Sequence, residues 1–436
     1  ATTVEAPSED VSLGVRQAFE ILARDSGLKL LHDGVPAIPY LSTSSAGGGL
    51  AMVVTGLMRD ITSRSAEEVA LGAGALILDV VALDDGRTPY EKITALQAQR
   101  PDMILLAGGF EGSALSQLVF LAELLNEASL RPKRNPSGRL PVIFCGNSNA
   151  CALVERTLAD EYLFVPVENI RPDDSRENPG PARRAIQELF MGHVMSQAPG
   201  YGTLQGWVDA DVMPTPAAVG RILALASDRF ACRILAIDIG GATTDVFTAA
   251  QGQVQRSVCA NLGMSYSILN VVRTAGMATL LDLLDSSLPE LEIWDTVGEK
   301  LLHPTQLPQT AVAAEIERAV AVLAIRTAVM EHLQVPEGTS VDLQDYDLII
   351  GSGGVLCHSP ELVSGGILLD ALTPPDRIEL ALDGASIFPH LGVLSTVQPD
   401  LASALLETVG IARLGTAEGL RRDRVAGRVS APVTCH

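Results

Sequence analysis

The sequence is poor in aromatic residues, poor in basic residues and free of closely spaced cysteines. Aromatic side chains make up 4% of the 436 residues, whereas hydrophobic residues make up 47%, so the core must be built from Ala, Val, Leu and Ile. Together with 39 glycines, this composition is typical of buried parallel strands covered by helices. A chain of this length is expected to form two or three domains.

Acidic residues outnumber basic ones by 52 to 31, which gives a formal net charge of −21. This balance argues against nucleic acid as a partner, because binding a polyanion requires a basic patch. A short basic cluster near the C-terminus is better explained by surface solvation than by an anionic partner; it consists of Arg421, Arg422, Arg424 and Arg428. The longest uncharged run, 34–58, contains two prolines and a Ser/Gly-rich middle, so it would make a poor membrane helix.

Several familiar signatures are missing. The six cysteines include no C-x-x-C pair, and some lie in apolar runs such as 142–145, which predicts reduced core residues of a cytoplasmic protein. Residues 1–5 lack the basic and apolar regions of a signal peptide. The seven histidines show no metal-ligand spacing, and neither a P-loop nor a G-x-S-x-G elbow occurs, which disfavours Walker-type ATPases and serine hydrolases.

The most informative stretch is 234–247, an apolar strand, a glycine turn and a second strand. Its distinctive positions are Asp238, Gly240, Gly241, Thr243, Thr244 and Asp245. The glycines let backbone N–H groups approach phosphate oxygens, the threonine hydroxyls can bond those oxygens, and the two acids can hold Mg²⁺ through its waters. The alternative is a simple β-hairpin with a Gly-Gly turn, which would have no use for acids on both sides of the turn.

A second apolar strand ending in glycines occupies 347–354. Gly351, Gly353 and Gly354 would leave a flat backbone surface for a purine or ribose, although close strand–helix packing also favours glycine. Two such turns in one lobe favour nucleotide binding, because a nucleotide needs one surface for its phosphates and another for its nucleoside. His358 could reach the nucleotide, but a histidine in a surface loop is the simpler interpretation.

The first half of the chain alternates strands and helices, which predicts a mainly parallel sheet. Its predicted strands are 50–57, 76–81, 102–109 and 142–145, and its predicted helices are 11–23, 65–71, 89–99, 113–127 and 182–195. A second lobe is expected to start near Phe230, after a Gly/Pro-rich stretch, 199–216, that is interpreted as a crossover in preference to a lid. In that lobe, helices are predicted at 264–272, 275–284, 310–332 and 400–413.

Two further stretches are weaker candidates for ligand contacts. The Ser/Gly-rich stretch 42–49 could form an anion cradle, but a flexible turn is the preferred interpretation. Residues 146–149 follow a strand, where ligands bind in doubly wound sheets, yet helix capping by Ser148 or Asn149 is simpler.

The two glycine turns carry a family resemblance. Residues 238–246 resemble the phosphate-binding hairpin of the actin, sugar kinase and Hsp70 ATPase superfamily, and 349–356 resemble its adenosine motif. More narrowly, the runs 106–109, 237–246, 350–356 and 369–372 resemble the MutL family, the accessory family of glutamate mutase. The resemblance implies an ATPase that reactivates or assembles an adenosylcobalamin-dependent mutase or aminomutase by nucleotide-driven lobe movement.

The expected fold is therefore α/β, with actin-like (ribonuclease H-like) ATPase lobes. The expected domains are a first lobe with an inserted parallel-sheet region at 1–228, a second lobe at 229–395, and a C-terminal helix and tail at 396–436. Residues 1–5 are similar to the family sequence that follows a first phosphate hairpin, so the first lobe is expected to lack that hairpin, which would impair hydrolysis.

By this resemblance, ATP and Mg²⁺ are the expected cofactors. Asp238 is the expected metal residue, and Asp238 and Asp245 are the expected catalytic residues of a weak ATPase. Two alternatives stay open: a nucleotide-binding scaffold that does not hydrolyse ATP, and an ATP-dependent enzyme of the hydantoinase or oxoprolinase type. The sequence does not indicate an oligomeric state.

Overall fold

The chain divides into two compact units. In the computed structural model they comprise Ala1–Tyr40 with Ala46–Asp209, and Leu41–Ser45 with Ala210–His436. The residues that the structure describes are 10–44, 50–73, 75–113, 115–132, 138–190, 199–259, 262–284, 287–335 and 341–425. Within these ranges, no helix is both long and apolar enough to cross a bilayer.

The helices and strands are numbered in chain order. The helices are α1 Val11–Ser26, α2 Arg64–Gly72, α3 Pro89–Ala98, α4 Ser116–Ala128, α5 Cys151–Leu158, α6 Pro179–Leu189, α7 Tyr201–Gln205, α8 Thr215–Arg229, α9 Ile268–Ala275, α10 Met277–Leu281, α11 Glu290–Leu302, α12 Ala311–His332, α13 Gly354–Cys357, α14 Glu361–Leu372, α15 Phe388–Leu394, α16 Pro399–Leu405 and α17 Ala417–Val425. The strands are β1 Leu31–His32, β2 Val35–Pro36, β3 Thr43–Ser44, β4 Leu50–Gly56, β5 Ala75–Ala82, β6 Met103–Gly108, β7 Leu140–Gly146, β8 Tyr162–Pro166, β9 Met213–Pro214, β10 Ile234–Ile239, β11 Thr244–Ala250, β12 Gln253–Cys259, β13 Leu348–Ser352, β14 Glu379–Asp383 and β15 Ile411–Thr416.

The first unit contains a parallel sheet in the order β5-β4-β6-β7-β8. Its central strands β4, β6 and β7 are buried along their whole length, as expected for strands covered on both faces. One face packs against apolar side chains of α4 and α5, such as Leu121 and Val154. The other packs against α2 and α6 through Val69 and Ile186. The sheet is the parallel-sheet region that the alternating pattern predicts.

The second unit is built on a mixed sheet in the order β12-β11-β10-β13-β14-β15. Strands β10, β11 and β12 form an antiparallel meander, β13 and β14 continue parallel to β10, and β15 pairs antiparallel to β14. Residues alternate between two cores, with Leu235 and Ile237 on the side of α9, α12 and α14, and Ile234 and Ala236 on the side of α8 and α15. A meander extended by two parallel strands is the arrangement expected of an actin-like lobe.

The second unit includes more of the chain than the predicted domain at 229–395. Helix α8 packs on the α15 side of the sheet through Val219 and Leu223, so residue 228 lies inside this unit. At the other end, the predicted helix 400–413 is shorter: α16 ends at Leu405, and β15 then adds an edge strand. The sheet pairing decides this end, because β15 bonds to β14 over Glu379–Asp383.

Two further predictions concern the cysteines and the basic cluster near the C-terminus. The described cysteines are all thiols, and Cys145 is fully buried as its apolar run predicts. The C-terminal arginines Arg421, Arg422 and Arg424 are paired with acidic residues of the same unit, which accounts for them without an external anion. Arg428 lies outside the described residues, as do His193 and 45–49 of the weak anion-cradle candidate.

Candidate functional site

The predicted phosphate-binding turn is a hairpin loop between β10 and β11. Asp238 lies directly opposite Asp245 in the strand register, and Ile239 lies opposite Thr244. Inside the turn, the N–H of Gly240 donates to the carbonyl of Thr243 over 2.8 Å. This places both acids at the edge of the sheet where the turn is made, as the order of residues predicts.

A following segment, Met264–Ser267, holds the outer side of the turn. The N–H of Met264 donates to the Gly240 carbonyl over 2.9 Å, and the N–H groups of Ser265 and Tyr266 both donate to the Gly241 carbonyl over 2.9 Å. The Ser267 hydroxyl donates to the Ala242 carbonyl. The segment therefore takes up the carbonyl oxygens of the turn and fixes its shape.

The close contact between turn and segment requires glycine at position 263. A Cβ at Gly263 would lie 2.4 Å from the carbonyl carbon of Ala242 and 2.5 Å from the Gly241 oxygen. The Gly263 N–H in turn donates to the Ser267 hydroxyl over 2.8 Å. Residues 264–267 are predicted to be helical, but α9 starts only at Ile268, because their amides bond to the turn instead.

The amide donors of the turn are left without internal acceptors. Among the described residues, no acceptor lies within hydrogen-bonding reach of the N–H groups of Gly241, Ala242 or Thr243. Because the carbonyl oxygens of the turn are hydrogen-bonded and these N–H groups are not, the turn presents a surplus of partial positive charge. A group of backbone donors of this kind suits phosphate oxygens.

The two threonines of the turn have different environments. Thr244 is fully buried, and its hydroxyl donates to the Leu262 carbonyl, so this side chain braces the structure and is not available to a phosphate. Thr243 is half-buried, and its side chain opposes the rise that burial causes in the pKa of Asp245. Of the two threonines predicted to contact a phosphate, Thr243 is the one whose hydroxyl is placed to do so.

Four polar side chains meet on the α8/α15 face at the ends of adjacent strands. Asp238 shares this face with Ala236, and Ser352 lies opposite Asp238 in the β10–β13 register. The Ser352 hydroxyl lies 3.4 Å from Oδ2 of Asp383, the last residue of β14. Asp245 completes the set from β11. Sequence reasoning missed Ser352 and Asp383, although a polar residue ending each of two neighbouring parallel strands is a usable signal.

Asp383 is held by the backbone that follows it. Its carboxylate accepts the N–H of Ile387 over 2.8 Å and that of Phe388 over 3.1 Å, at the start of α15. Burial raises the pKa of Asp383, and these two amides and Ser352 oppose that rise. Asp383 therefore works as a fixed brace that also places negative charge close to Asp238.

The pKa of Asp238 is strongly raised. Burial, together with the negative charges of Asp245 and Asp383, raises its pKa to about 7, and the Ser352 hydroxyl and Arg256 oppose the rise only in part. A carboxyl that titrates near neutral pH at the end of a strand is a candidate for metal binding or proton transfer.

The glycines of the second turn serve packing as well as any ligand. A Cβ at Gly351 would lie 2.8 Å from Cδ1 of Leu356, inside the core. Gly353 has a φ of 98°, and a Cβ there would lie 2.1 Å from the carbonyl oxygen of Ile239 on β10. Gly354 is exposed, with His358 Cδ2 at 3.8 Å as the nearest contact for a Cβ. Of the three, Gly354 is the one with open space for a nucleoside.

A cavity of about 140 Å³ lies in the second unit beyond the segment that holds the turn. Its wall includes Ile268, the first residue of α9, and the ion pair between Lys300 and Glu317 at 3.0 Å. The Lys300 ammonium also donates to the Gln306 carbonyl over 2.7 Å. The only lysine of this wall is thus engaged internally among the described residues.

In the first unit, residues 146–149 are held by internal bonds. The Asn147 side chain accepts the N–H of Asn149 over 3.0 Å, so the cap of the short 3-10 helix Ser148–Ala150 is Asn147 and not Ser148 or Asn149. The Glu111 carboxylate accepts the Ser148 N–H over 3.2 Å and the side-chain amide of Asn169 over 2.8 Å. Capping by Ser148 or Asn149, as predicted, is therefore wrong, and the capping residue is Asn147.

Comparison with known proteins gives a family and several distant structural likenesses. In structure, the chain resembles acetone carboxylase in its nucleotide-free form (TM-score 0.40, 11% identity, 89% of this chain and 65% of that one). It also resembles component A of (R)-2-hydroxyglutaryl-CoA dehydratase from Acidaminococcus fermentans (TM-score 0.27, 15% identity, 65% and 83%). An archaeal actin homolog is matched with a TM-score of 0.24 at 13% identity over 64% and 76% of the two chains.

In sequence, the chain is 29% identical to Protein MutL of Clostridium tetanomorphum over 444 residues, which cover 93% of this chain and 92% of that relative. The model of the family described as MutL protein matches residues 1–409. With nearly the whole sequence covered by this family model, the chain belongs to the MutL family.

Proposed function

We propose that the second unit binds ATP with Mg²⁺ and that its phosphates lie on the turn between β10 and β11. The observation that carries this proposal concerns the N–H groups of Gly241, Ala242 and Thr243, which donate to no acceptor among the described residues. The carbonyl groups of the same turn, in contrast, are already hydrogen-bonded. A turn that served only to connect two strands would not need Met264–Ser267 to hold it in this form. Gly354 offers the open surface for the nucleoside.

Asp238 is the residue proposed to hold Mg²⁺. Among the described residues, no group of three or more His, Cys, Asp or Glu side chains is arranged as a metal site. This fits an ion that keeps most of its waters and contacts one carboxylate and the phosphates, as Mg²⁺ usually does. When bound, the ion would neutralise phosphate charge; Asp238 would orient its waters, and the turn amides would fix the phosphate oxygens.

The activity proposed for this site is slow ATP hydrolysis. Catalysis of phosphoryl transfer depends mainly on positioning and charge neutralisation, which a rigid turn and one ionisable carboxyl can supply in part. Asp238, with a pKa of about 7, can accept a proton from water at neutral pH. Asp245 is already engaged with Arg256.

The proposed biological role is that of an accessory protein for an adenosylcobalamin-dependent mutase or aminomutase. Family membership and the motif resemblance support this role. ATP binding and hydrolysis would change the angle between the lobes and so help the partner to release damaged cobalamin. Because Asp245 is paired with an arginine, a scaffold that binds ATP without turning it over stays the second candidate.

Binding is tested first by calorimetric titration of the full chain with ATP, with and without Mg²⁺. The wild type is expected to bind in an Mg²⁺-dependent manner, and Asp238→Asn is expected to lose that dependence. Asp295→Asn, which changes an exposed carboxylate on α11, is the matched control and should bind as the wild type does. No heat and no thermal shift with the wild type would refute nucleotide binding.

The accessory role is tested with a mutase whose bound cofactor has lost its adenosyl group. Adding the chain with MgATP and fresh adenosylcobalamin should restore mutase activity, and the Asp238→Asn variant should not. Restoration that needs ATP binding but occurs equally with a non-hydrolysable analogue would favour the scaffold. Normal ATP binding without any effect on several such mutases would refute the accessory role and leave the nucleotide site in place.

A further inference from the structure

Asp245 is held in an ion pair by an arginine on the neighbouring strand. Nε of Arg256 lies 2.7 Å and Nη2 lies 2.6 Å from the same oxygen, Oδ1, of Asp245. Asp245 is only 6% exposed, and it lies directly opposite Asp238 in the β10–β11 register. The carboxylate is therefore buried beside the turn and bonded from β12.

The pairing follows from the strand register. Asp245 lies opposite Val258 and Phe247 lies opposite Arg256, so Arg256 is the diagonal neighbour of Asp245 on the same face of the sheet. Long side chains reach across such a diagonal. Arg256 can thus place two N–H groups on one carboxylate oxygen, and a lysine at this position could not reproduce that fork.

Within the described part of the chain, neither Asp238 nor Asp383 forms an ion pair comparable to that of Asp245. Asp383 accepts two backbone amides and lies near Ser352. Asp238 lies opposite Ser352 in the strand register, and the Ser352 hydroxyl opposes the rise in its pKa. Of the three acids at this edge of the sheet, Asp245 is the one whose charge an arginine cancels directly.

This difference matters for a polyanionic ligand. Each ionised carboxylate next to the turn repels a triphosphate, and in a partly buried site that repulsion is poorly screened. Arg256 removes the contribution of Asp245 without help from a metal ion. The negative charge that remains closest to the turn is then Asp238, which Mg²⁺ can neutralise.

We propose that Arg256 is a positioning residue of the ATP site: it makes Asp245 a neutralised brace of the phosphate-binding turn and leaves Asp238 as the single carboxylate that meets the metal ion. The inference rests on the proposed nucleotide binding and assigns the two predicted catalytic acids different tasks. Asp245 stays paired with Arg256 and ties β11 to β12 beside the turn, and Asp238 contacts the ion.

The test is a double-mutant cycle in the full chain, followed by titration with ATP in the presence and absence of Mg²⁺. Arg256→Gln leaves the charge of Asp245 uncompensated, so ATP affinity should fall at least ten-fold. The loss should be larger for ATP without Mg²⁺ than for MgATP, since the metal ion offsets part of the repulsion. A purely structural role for Arg256 would weaken both ligands equally.

The decisive variant is Asp245→Asn combined with Arg256→Gln. It removes both charges of the pair, so it should recover at least ten-fold of the affinity that Arg256→Gln loses. Asp238→Asn combined with Arg256→Gln should recover none of the affinity for MgATP, because the metal ion has then lost its carboxylate. Arg229→Gln, which breaks an exposed ion pair with Glu407, is the matched control and should leave affinity unchanged.

The outcomes separate this inference from the proposed function. Wild-type binding with no recovery in the Asp245→Asn/Arg256→Gln variant would overturn the brace and leave ATP binding in place. The same holds if Arg256→Gln weakens ATP and MgATP equally. A wild type that binds no ATP would overturn the proposed function and this inference together. If Arg256→Gln alone does not fold, the double variant decides by its affinity relative to the wild type.

Discussion

Asp238 couples the charge state of the site to pH. Its pKa is raised to about 7 by burial and by Asp245 and Asp383, so the folded state binds this proton more tightly than the unfolded state does. Its protonation therefore favours folding below pH 4, and that contribution disappears as the pH rises towards 7. At pH 8 the folded protein must keep an unfavourable charge at this position, unless a cation neutralises it.

The first prediction is that Asp238→Asn stabilises the ligand-free protein more at pH 8 than at pH 5. At pH 8 the substitution removes a half-buried charge, and an additional gain of about 1–2 kcal/mol would raise the Tm by about 2–8 °C. Between pH 5 and pH 8 the folded wild type ionises Asp238 and loses stability, whereas asparagine does not titrate, so the Tm difference should grow with pH. Thermal unfolding at several pH values measures this, with Asp295→Asn as the control; an equal difference at both pH values would contradict the prediction.

At the second glycine turn, Gly353 and Gly354 differ in the reason for having no side chain. A Cβ at position 353 would lie 2.1 Å from the Ile239 oxygen, and the φ of 98° disfavours any L-residue. Gly353→Ala should therefore destabilise the protein by about 2–4 kcal/mol. Gly354→Ala should change stability by less than about 0.5 kcal/mol, because its Cβ would be exposed.

Denaturant unfolding of both alanine variants measures these changes. ATP titration of Gly354→Ala then gives a second result: weaker binding at unchanged stability would support a nucleoside lying against this turn. Equal destabilisation by the two substitutions would contradict the packing reason given for Gly353.

At the scale of elements, the turn depends on the segment Met264–Ser267. Ser267 is the central contact, because its hydroxyl donates to the Ala242 carbonyl and accepts the N–H of Gly263. Ser267→Ala leaves a buried amide without its acceptor, at a cost of about 1–3 kcal/mol. We expect a lower free energy of unfolding and, because the turn loses its fixed shape, weaker ATP binding.

Thr408→Ala is the control for this substitution, since its hydroxyl donates only within its own helical turn, to Ala404 and Leu405. Denaturant unfolding and ATP titration of both variants are the measurements. A Ser267→Ala variant with lower stability but wild-type ATP affinity would show that the turn keeps its shape without this contact.

The elements of the sheet could be predicted where a continuous apolar run ends in glycine. The runs leading to Gly108 and to Gly351 were found in this way, and both are strands. Strand β12 escaped the sequence reasoning because its exposed residues are polar, as in Gln255 and Arg256. Its pairing with β11 is a local hairpin across Gln251 and Gly252, and the ion pair with Asp245 follows from the register of that hairpin.

The start of α9 shows a second limit of sequence reasoning. Helical spacing predicts a helix from Met264, but the amides there bond to carbonyls of a turn more than twenty residues earlier. Helix propensity depends on the local sequence, so it does not reveal hydrogen bonds to a distant segment that compete with the helix. The motif at 369–372 is similar: Asp370 lies in a predictable apolar stretch, whereas its ion pairs with Arg318 and Arg424 come from helices distant in sequence.

At the scale of the whole molecule, the candidate site residues all belong to the second unit. The two units are built differently, one on a wholly parallel sheet and the other on a meander extended by parallel strands. The composition predicts the first kind of sheet, and the glycine turns predict the second. What the sequence leaves open is whether a nucleotide bound in one unit affects the other, which the proposed accessory role requires.

Hydrogen exchange of the full chain with and without MgATP measures that coupling. Amides at Gly241, Ala242 and Thr243 should exchange quickly in the free protein and slow down on binding, because they gain acceptors. At a ligand concentration 100 times the Kd, a second unit that binds MgATP should be stabilised by about 2.7 kcal/mol, so exchange by global unfolding of β10, β11 and β13 should slow about 100-fold.

Nucleotide-driven movement between the lobes makes a further demand on the same experiment. Exchange in the first unit should also change, and it should differ between MgATP and MgADP, because a ligand can shift a conformational equilibrium only if it binds the two states differently. Asp238→Asn should remove the part of these changes that depends on Mg²⁺ in both units. Slower exchange confined to the second unit would contradict the movement while supporting the site, and a nucleotide bound there would then act on a partner through the second unit alone.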